Sequence, residues 1–208
     1  GQPPQVTITN PLLEGLDGTR FSQEMLVLEG RQRSENGLEF LGRTEGLDIS
    51  LLARISRRLA QRRPEIVHTH GTLADTYGVL GARFAGIKKV ISTCHRGDFS
   101  QETRARKKFR NKLIYLLVDK TVCVSKYQRD NLSSHYRFLP GKSVTVYLGT
   151  ERRELWDIPV RSASGARPVI LSSGHFRKDR DHEMLVRAFG IVSRAFPETR
   201  LWLVGTGE

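Results

Sequence analysis

Cysteine is scarce. The 208 residues hold two, Cys94 and Cys123, each inside a strand-like run, VISTC and TVCVS. A disulfide framework needs more cysteines at loop positions, so buried thiols in a reducing compartment are expected. Long apolar runs are missing too, and none approaches the roughly 20 residues that carry a helix across a bilayer. The first residues show neither a basic leader nor an apolar signal core, and the expected location is the cytoplasm. Aromatics do not interleave with the basic residues, and no zinc-finger, RNA-recognition or leucine-zipper pattern occurs. No nucleic-acid partner is expected. A repeat of solenoid length, the Rossmann G-x-G-x-x-G and a Walker loop are likewise absent.

Acidic residues are in the minority. With 34 Lys and Arg against 22 Asp and Glu, the formal charge is +12. Such a surplus suits phosphorylated small molecules or an anionic membrane surface. The cations crowd residues 54–63, 104–112, 152–161 and 177–180. A hydrophobic content of 38% and a charged content of 27% are globular values. The length suffices for a proper core.

Most of the chain alternates strand and helix. Leu12, Leu13 and Leu16 suggest the end of a helix, MLVLEG (25–30) reads as a strand, and 31–46 as a loop with a short strand at 38–41. From Asp48, Ile49, Leu52, Ile55 and Leu59 recur at helical spacing, with Asp48 or Ser50 as cap and Pro64 as stop. EIVHTHG (65–71), KKVISTCH (88–95), TVCVS (121–125) and SVTVYLG (143–149) read as strands. Helices over 72–85, 102–117 and 126–134 join them, the first stopped by Gly86. Apolar runs without in/out alternation imply a parallel sheet covered on both faces, Rossmann-like and α/β. Residues 1–150 form this first domain, and the charged, Pro- and Ser-bearing stretch 151–167 is a linker. A second unit starts at 168, with strands at 168–174 and 200–207 around a helix at 181–196. One β-α-β unit cannot bury both faces of its sheet, so the chain is expected to be a piece of a longer protein.

In open parallel sheets, ligands bind beyond the carboxyl ends of the strands. Four such ends carry polar groups: His68-Thr69-His70-Gly71, His95-Arg96-Gly97-Asp98, Ser125-Lys126 and Gly149-Thr150-Glu151. Polar strand ends also serve simply to cap helices. His68 and His70 point to one side of their strand. No cysteine, histidine or acid at ligand spacing completes a set with them, so no metal is expected. His95 either hydrogen-bonds a ligand hydroxyl or phosphate, or ties down its own loop. The turn GHFRKDRDHEML (174–185) joins Gly174, His175, Arg177, Lys178 and Arg180 to a helix start capped by Asp179 or Asp181. Glycine, cations and a helix N-terminus suit a diphosphate, although a charged surface turn would look the same. Gly205 and Gly207 end the next strand where a second ligand-facing loop would sit. In the basic helix, Ala105, Phe109, Leu113 and Leu116 share one face. That face either packs on the sheet, which is the ordinary arrangement, or rests on anionic headgroups.

Taken in order, several of these segments resemble the retaining glycosyltransferases of family 4. RRPEIVHTHG, GARFAGIKKVISTCHRGDF, VDKTVCVSKYQRDNL and VTVYLGTE match blocks of that family's first domain. VILSSGHFRKDRDHEMLVRAF and LWLVGTGE are similar to its donor side. The resemblance implies a GT-B fold, here a Rossmann-like acceptor domain plus the first β-α-β of a donor-binding domain, truncated at both ends. It implies transfer of a sugar from a nucleotide-diphosphate sugar to a hydroxyl acceptor with retention, without a cofactor or metal. The acceptor would be a lipid-linked or polysaccharide precursor. His95 takes the place of the family's cleft histidine and is the catalytic candidate. His70, Gly71, Arg96, Ser125, Lys126 and Gly149 line the acceptor side; Gly174, His175, Arg177, Lys178, Arg180, Gly205 and Gly207 serve the donor. Two residues depart from the pattern: His175 replaces the family's donor-binding arginine, and Arg180 its lysine. The alternatives are a GT-B nucleotide-sugar epimerase and a non-enzymatic basic module for acidic polymers.

Overall fold

The computed structural model describes residues 15–29, 38–44, 46–95, 105–149 and 167–207. The helix end expected around Leu12 and Leu13, most of the loop over 31–46, Arg96-Gly97-Asp98, Thr150-Glu151 and nearly all of the expected linker lie outside those residues. So do the first three residues of the basic helix. The chain divides into two compact units, Gly1–Glu151 and Arg152–Glu208.

In the first unit, β1 (Met25–Val27) and β2 (Leu38–Phe40) make a short parallel pair. Helix α1 (Ile49–Arg62) follows. Asp48 caps it, accepting hydrogen bonds from Ser50 Oγ at 2.6 Å and the Leu51 N–H at 2.9 Å, with Thr44 N–H and Oγ1 on the other oxygen. These donors, Ser50 first, hold its carboxyl well below the usual range. Arg63 closes the helix in a left-handed conformation at φ 48°, and Pro64 prevents its continuation. Leu51, Ile55 and Leu59 face inward. Ile49, expected on that face, is instead 71% exposed, because the row at i, i+4, i+8 through Leu51 is the one the core meets.

Strands β3 (Ile66–His70), β4 (Lys89–Cys94), β5 (Lys120–Cys123) and β6 (Ser143–Thr145) form one parallel sheet in that order. Parallel neighbours require crossovers, and helices supply them. The first crossover is a single helical run: α2 (Thr72–Ala74), a π-helical turn (Asp75–Val79) and α3 (Leu80–Phe84). The π turn was not legible in the sequence, which reads there as a plain helix. The run packs closely because it is glycine-bearing: a Cβ on Gly81 would lie 2.6 Å from Ile55 Cγ2 of α1, and one on Gly78 would lie 2.7 Å from Thr69 Cγ2 of β3. Gly86 ends the run at φ 78°.

Helices α4 (Ala105–Leu117) and α5 (Lys126–His135) make the other two crossovers. Leu51, Val79, Val90, Val118, Cys123 and Leu132 mark the core, all at most 1% exposed. The Arg83 guanidinium knits the edges of this unit, donating to the carbonyls of Leu117, Ile87 and Lys88 and to the Asp119 carboxylate. Cys94 and Cys123 are buried cysteines on neighbouring strands, not joined in a disulfide.

The packing of α4 overturns the ordinary reading of its apolar stripe. The face against the core is Asn111, Ile114 and Tyr115, whereas Phe109, Leu113 and Leu116 are 72%, 42% and 47% exposed.

The second unit pairs β7 (Val169–Ser173) with β8 (Arg200–Val204) in parallel, joined through a 3-10 turn (Lys178–Arg180) and α6 (His182–Ala195). None of the residues of α6 is buried, and Leu171 and Trp202 stand 61% and 55% exposed. Both units are Rossmann-like α/β arrangements with parallel strands throughout.

Candidate functional site

Because β3 to β6 run parallel and in register, their carboxyl ends share one edge. His70 pairs with Thr93, Cys94 with Cys123, and Cys123 with Thr145. His68 and His70 alternate with Thr69, so both imidazoles stand on one face of β3, ring centroids 4.3 Å apart. His95, just past β4, joins them: its Nε2 lies 3.2 Å from His70 Nδ1, with the two rings stacked at 5.5 Å. His68 Nε2 meets Thr93 Oγ1 at 2.7 Å. Gly71 closes β3 at φ 85° and donates its N–H to the Thr93 carbonyl, which fixes the two strand ends against each other.

Burial pushes the His70 imidazole down to about 3, helped by the charges His68 and His95 would carry. Burial lowers His95 as well. Burial also lowers His68, with the charge His95 would carry adding to it. At neutral pH the row is therefore uncharged, and in the His70–His95 contact one ring donates while the other accepts. The second nitrogen of each of those two rings has no partner among the described residues. A neutral imidazole pair at a strand end can give and accept one hydrogen bond each, which suits a hydroxyl-bearing ligand.

Further along the edge, the sequence candidates separate. Ser125 is the N-cap of α5, and its Oγ accepts from the Gln128 N–H at 3.1 Å. Lys126, next in the chain, and Gly149, past the end of β6, are exposed. Arg96 falls outside the described residues. Among the described residues, no group of three or more His, Cys, Asp and Glu is arranged to hold a metal ion.

Sequence reasoning passed over Asp75. It sits in the π turn, 5% exposed, and its Oδ1 accepts from Thr69 Oγ1 at 2.5 Å and Ser92 Oγ at 2.7 Å. Burial raises its carboxyl to about 6, against the lowering effect of those two hydroxyls. A cavity of about 10 Å³ beside it, lined by Thr72, Thr76, Asn111, Ile114 and Tyr115, has room for about one water. An acid amid the small and apolar residues of 72–85 was the available signal.

In the second unit, the strand pairing of β7 and β8 continues past their ends. Gly174 N–H donates to the Val204 carbonyl and Phe176 N–H to that of Thr206, each at 2.9 Å. A Cβ on Gly205 would run into the Gly174 carbonyl, and one on Gly207 into that of Phe176. Both glycines are thus required by the close backbone pairing itself. Asp181, in a left-handed conformation at φ 46°, caps α6 by accepting from the Met184 N–H at 3.2 Å. Phe176 stands edge-on to His182, 5.0 Å between centroids. The turn between strand and helix exposes His175, Arg177, Lys178 and Arg180. Three cations beside a helix N-terminus form an electropositive turn.

A Rossmann-like sheet with a polar carboxyl edge, followed by a second such unit with a basic strand-to-helix turn, is the GT-B type of architecture. The family model described as Glycosyltransferase Family 4 matches residues 18–153, more than half of the chain, and the chain belongs to that family. Among solved structures it is similar to one from Listeria monocytogenes assigned as a UDP-N-acetylglucosamine 2-epimerase, with TM-score 0.51, 15% identity, and coverage of 81% of this chain and 49% of that one. It is also similar to S. aureus MnaA solved with UDP, with TM-score 0.51, 13% identity, and coverage of 98% and 59%. At these identities the likeness concerns the fold alone, and the chain spans about half the length of those structures. No curated protein matches the sequence.

Proposed function

We propose that this chain is part of a glycosyltransferase that moves a sugar from a nucleotide-diphosphate sugar to a hydroxyl acceptor, with retention at the anomeric carbon. The observation that carries the reading is the neutral His70–His95 pair at the carboxyl edge of β3 and β4, 3.2 Å apart, in a chain of glycosyltransferase family 4. His95 orients sugar hydroxyls through the ring nitrogen that His70 leaves open. The exposed cations Arg177, Lys178 and Arg180 stabilise the charge that collects on the diphosphate as the sugar leaves. UDP in the MnaA structure is in keeping with a nucleotide sugar as the donor.

The test uses the full-length enzyme that contains this chain. His95→Ala is expected to cut turnover roughly ten- to a thousandfold, the scale of removing one oriented hydrogen bond from a transition state. Nucleotide affinity, measured by calorimetry on the same variant, should stay within about twofold. Arg180→Ala should do the reverse, weakening nucleotide binding by roughly tenfold or more, as befits a charge-assisted hydrogen bond. Normal turnover in the folded His95 variant would remove the reading. Conversion of a nucleotide sugar into its epimer without acceptor and without net release of nucleotide would replace it with epimerisation.

A further inference from the structure

Helix α4 has a buried side and, opposite it, an open apolar side. One, formed by Asn111, Ile114 and Tyr115, is 6%, 3% and 5% exposed and packs on the core. The other, Phe109, Leu113 and Leu116 at i, i+4 and i+7, points straight away from it and lies open. At about 100° per residue, Arg106 borders this outer stripe on one side and Lys108 and Lys112 on the other, while the half-buried Arg110 turns its guanidinium to Asn111 Oδ1 at 2.9 and 3.1 Å. The helix has no acidic residue at all. Its carboxyl end is anchored: Arg83 donates to the Leu117 carbonyl at 2.8 Å, and Lys142 Nζ to those of Leu116 and Val118 at 3.1 and 3.0 Å. Helix dipole and neighbouring cations thus agree in holding α4 against the sheet with the stripe outward.

We infer that α4 docks the protein on an anionic lipid surface, lying in the plane of the interface with Phe109, Leu113 and Leu116 among the acyl chains and the flanking cations on the headgroups. Charge complementarity selects this occupant. An uninterrupted basic helix that presents a narrow apolar ridge fits a fluid, negatively charged plane, where apolar burial and headgroup attraction add. A nucleic acid would satisfy the cations and leave three apolar side chains in water. A protein partner would need a groove to take in the ridge and matching acids on both of its flanks. This surface requires neither the sugar reaction nor the donor turn, so it stands or falls separately from the proposed function.

The full chain is mixed with vesicles of phosphatidylcholine containing phosphatidylglycerol, or of phosphatidylcholine alone, and sedimented. The parent should pellet with the anionic vesicles and remain in solution with the neutral ones. Replacing the ridge (Phe109→Ser, Leu113→Ser, Leu116→Ser) alters only exposed side chains, so the fold should survive, as an unchanged thermal midpoint will show. Partitioning should fall at least about tenfold, the scale of burying one large apolar side chain. Replacing Arg106, Lys108 and Lys112 by Gln should cost about a hundredfold, each surface cation contributing about fivefold. A polarity-sensitive dye on Leu113→Cys reports insertion directly, since Cys94 and Cys123 are buried. Its emission should shift to the blue on anionic vesicles. A parent that stays in solution, a ridge variant that pellets like the parent, or a dye whose emission does not move in the pelleted protein would each overturn the docking. A parent that ignores vesicles and binds soluble polyglutamate would assign the helix to an acidic polymer instead.

Discussion

The two units begin from similar material and reach opposite degrees of closure. Strands β4 and β7 have comparable apolar content, KVISTC and VILSS. Yet four of the six residues of β4 are buried and none of β7. The first unit lays helices on a sheet of four strands, so that Leu51, Val90 and Leu132 are wholly shielded from solvent. Among the described residues of this chain the second has two strands and one α-helix, and apolar side chains such as Ile191 and Leu171 are 73% and 61% exposed. A strand's apolar composition thus permits burial; the number of layers laid on it decides whether burial happens.

The sharpest way to break that comparison is to truncate matched leucines. Leu132→Ala, at a fully buried site, is expected to cost about 2–5 kcal/mol. Leu171→Ala should cost under about 0.5 kcal/mol, because exposed side chains lose little transfer energy. Amide hydrogen exchange resolved by peptide reads the two units separately. Equal drops in protection would refute the contrast.

Glycines give a second, smaller test. Gly81→Ala places a methyl 2.6 Å from Ile55 Cγ2 and should destabilise by about 1–3 kcal/mol. Gly190→Ala in α6 meets nothing within 4 Å and should stabilise by up to about 1 kcal/mol, through helix propensity alone. Chemical denaturation of the two variants, side by side, will show whether the signs differ.

The smallest expected effect is on pH dependence. Histidines held neutral by burial take up protons in the unfolded chain from about pH 6.5 downward, while folded His70 resists until about 3. Stability from this source is complete above pH 6.5 and drains as the solution is acidified. Asp75 opposes it: raised to about 6, it takes a proton in the folded state while the unfolded carboxyl stays ionised down to about 3.8. His70 alone outweighs the one carboxyl and His95 acts with it, so a net loss of roughly 0.5–1 kcal/mol is expected between pH 7 and 5.5. Urea midpoints at the two pH values will measure it. His70→Gln should flatten the difference, and a midpoint that rises on acidification would contradict the assignment.

Much of this architecture was legible in the sequence, for reasons that differ from element to element. Each apolar run between helical stretches became a parallel strand, and Asp48, Asp181 and Gly86 mark helix ends by chemistry that depends on a few local atoms. That His70 and His95 share one edge followed from parallel strands ending together, whereas the contact between their rings was not legible. What escaped was set by distant contacts. Either face of α4 satisfies a helical apolar period, and Asn111 disguises the inner one with a polar side chain. The i, i+3 spacing that starts at Ile49 misled for a similar reason, since only the core decides which row it meets. Gly205 and Gly207 read as a ligand-facing loop, and the sequence did not show that the carbonyls of Gly174 and Phe176 also require glycine there. Asp75 was overlooked because a buried carboxyl needs Thr69 and Ser92, and sequence distance does not show that they converge on it.

The π turn at Asp75–Val79 has a meaning that can be counted in codons. Its hydrogen bonds reach back five residues where an α-helix reaches four, so it holds one residue more than a plain helix spanning the same distance. Inserting a residue into an α-helix whose two ends are already pinned produces this shape, because the surplus bulges and neither end has to move. Here the ends are pinned by Gly71, just past β3, and by Gly81 of α3, packed against Ile55 of α1. One triplet more or fewer therefore separates an ordinary crossover helix from one that turns a carboxylic acid inward against the strands. A lineage could cross that step in a single event while the rest of the sheet stayed as it was.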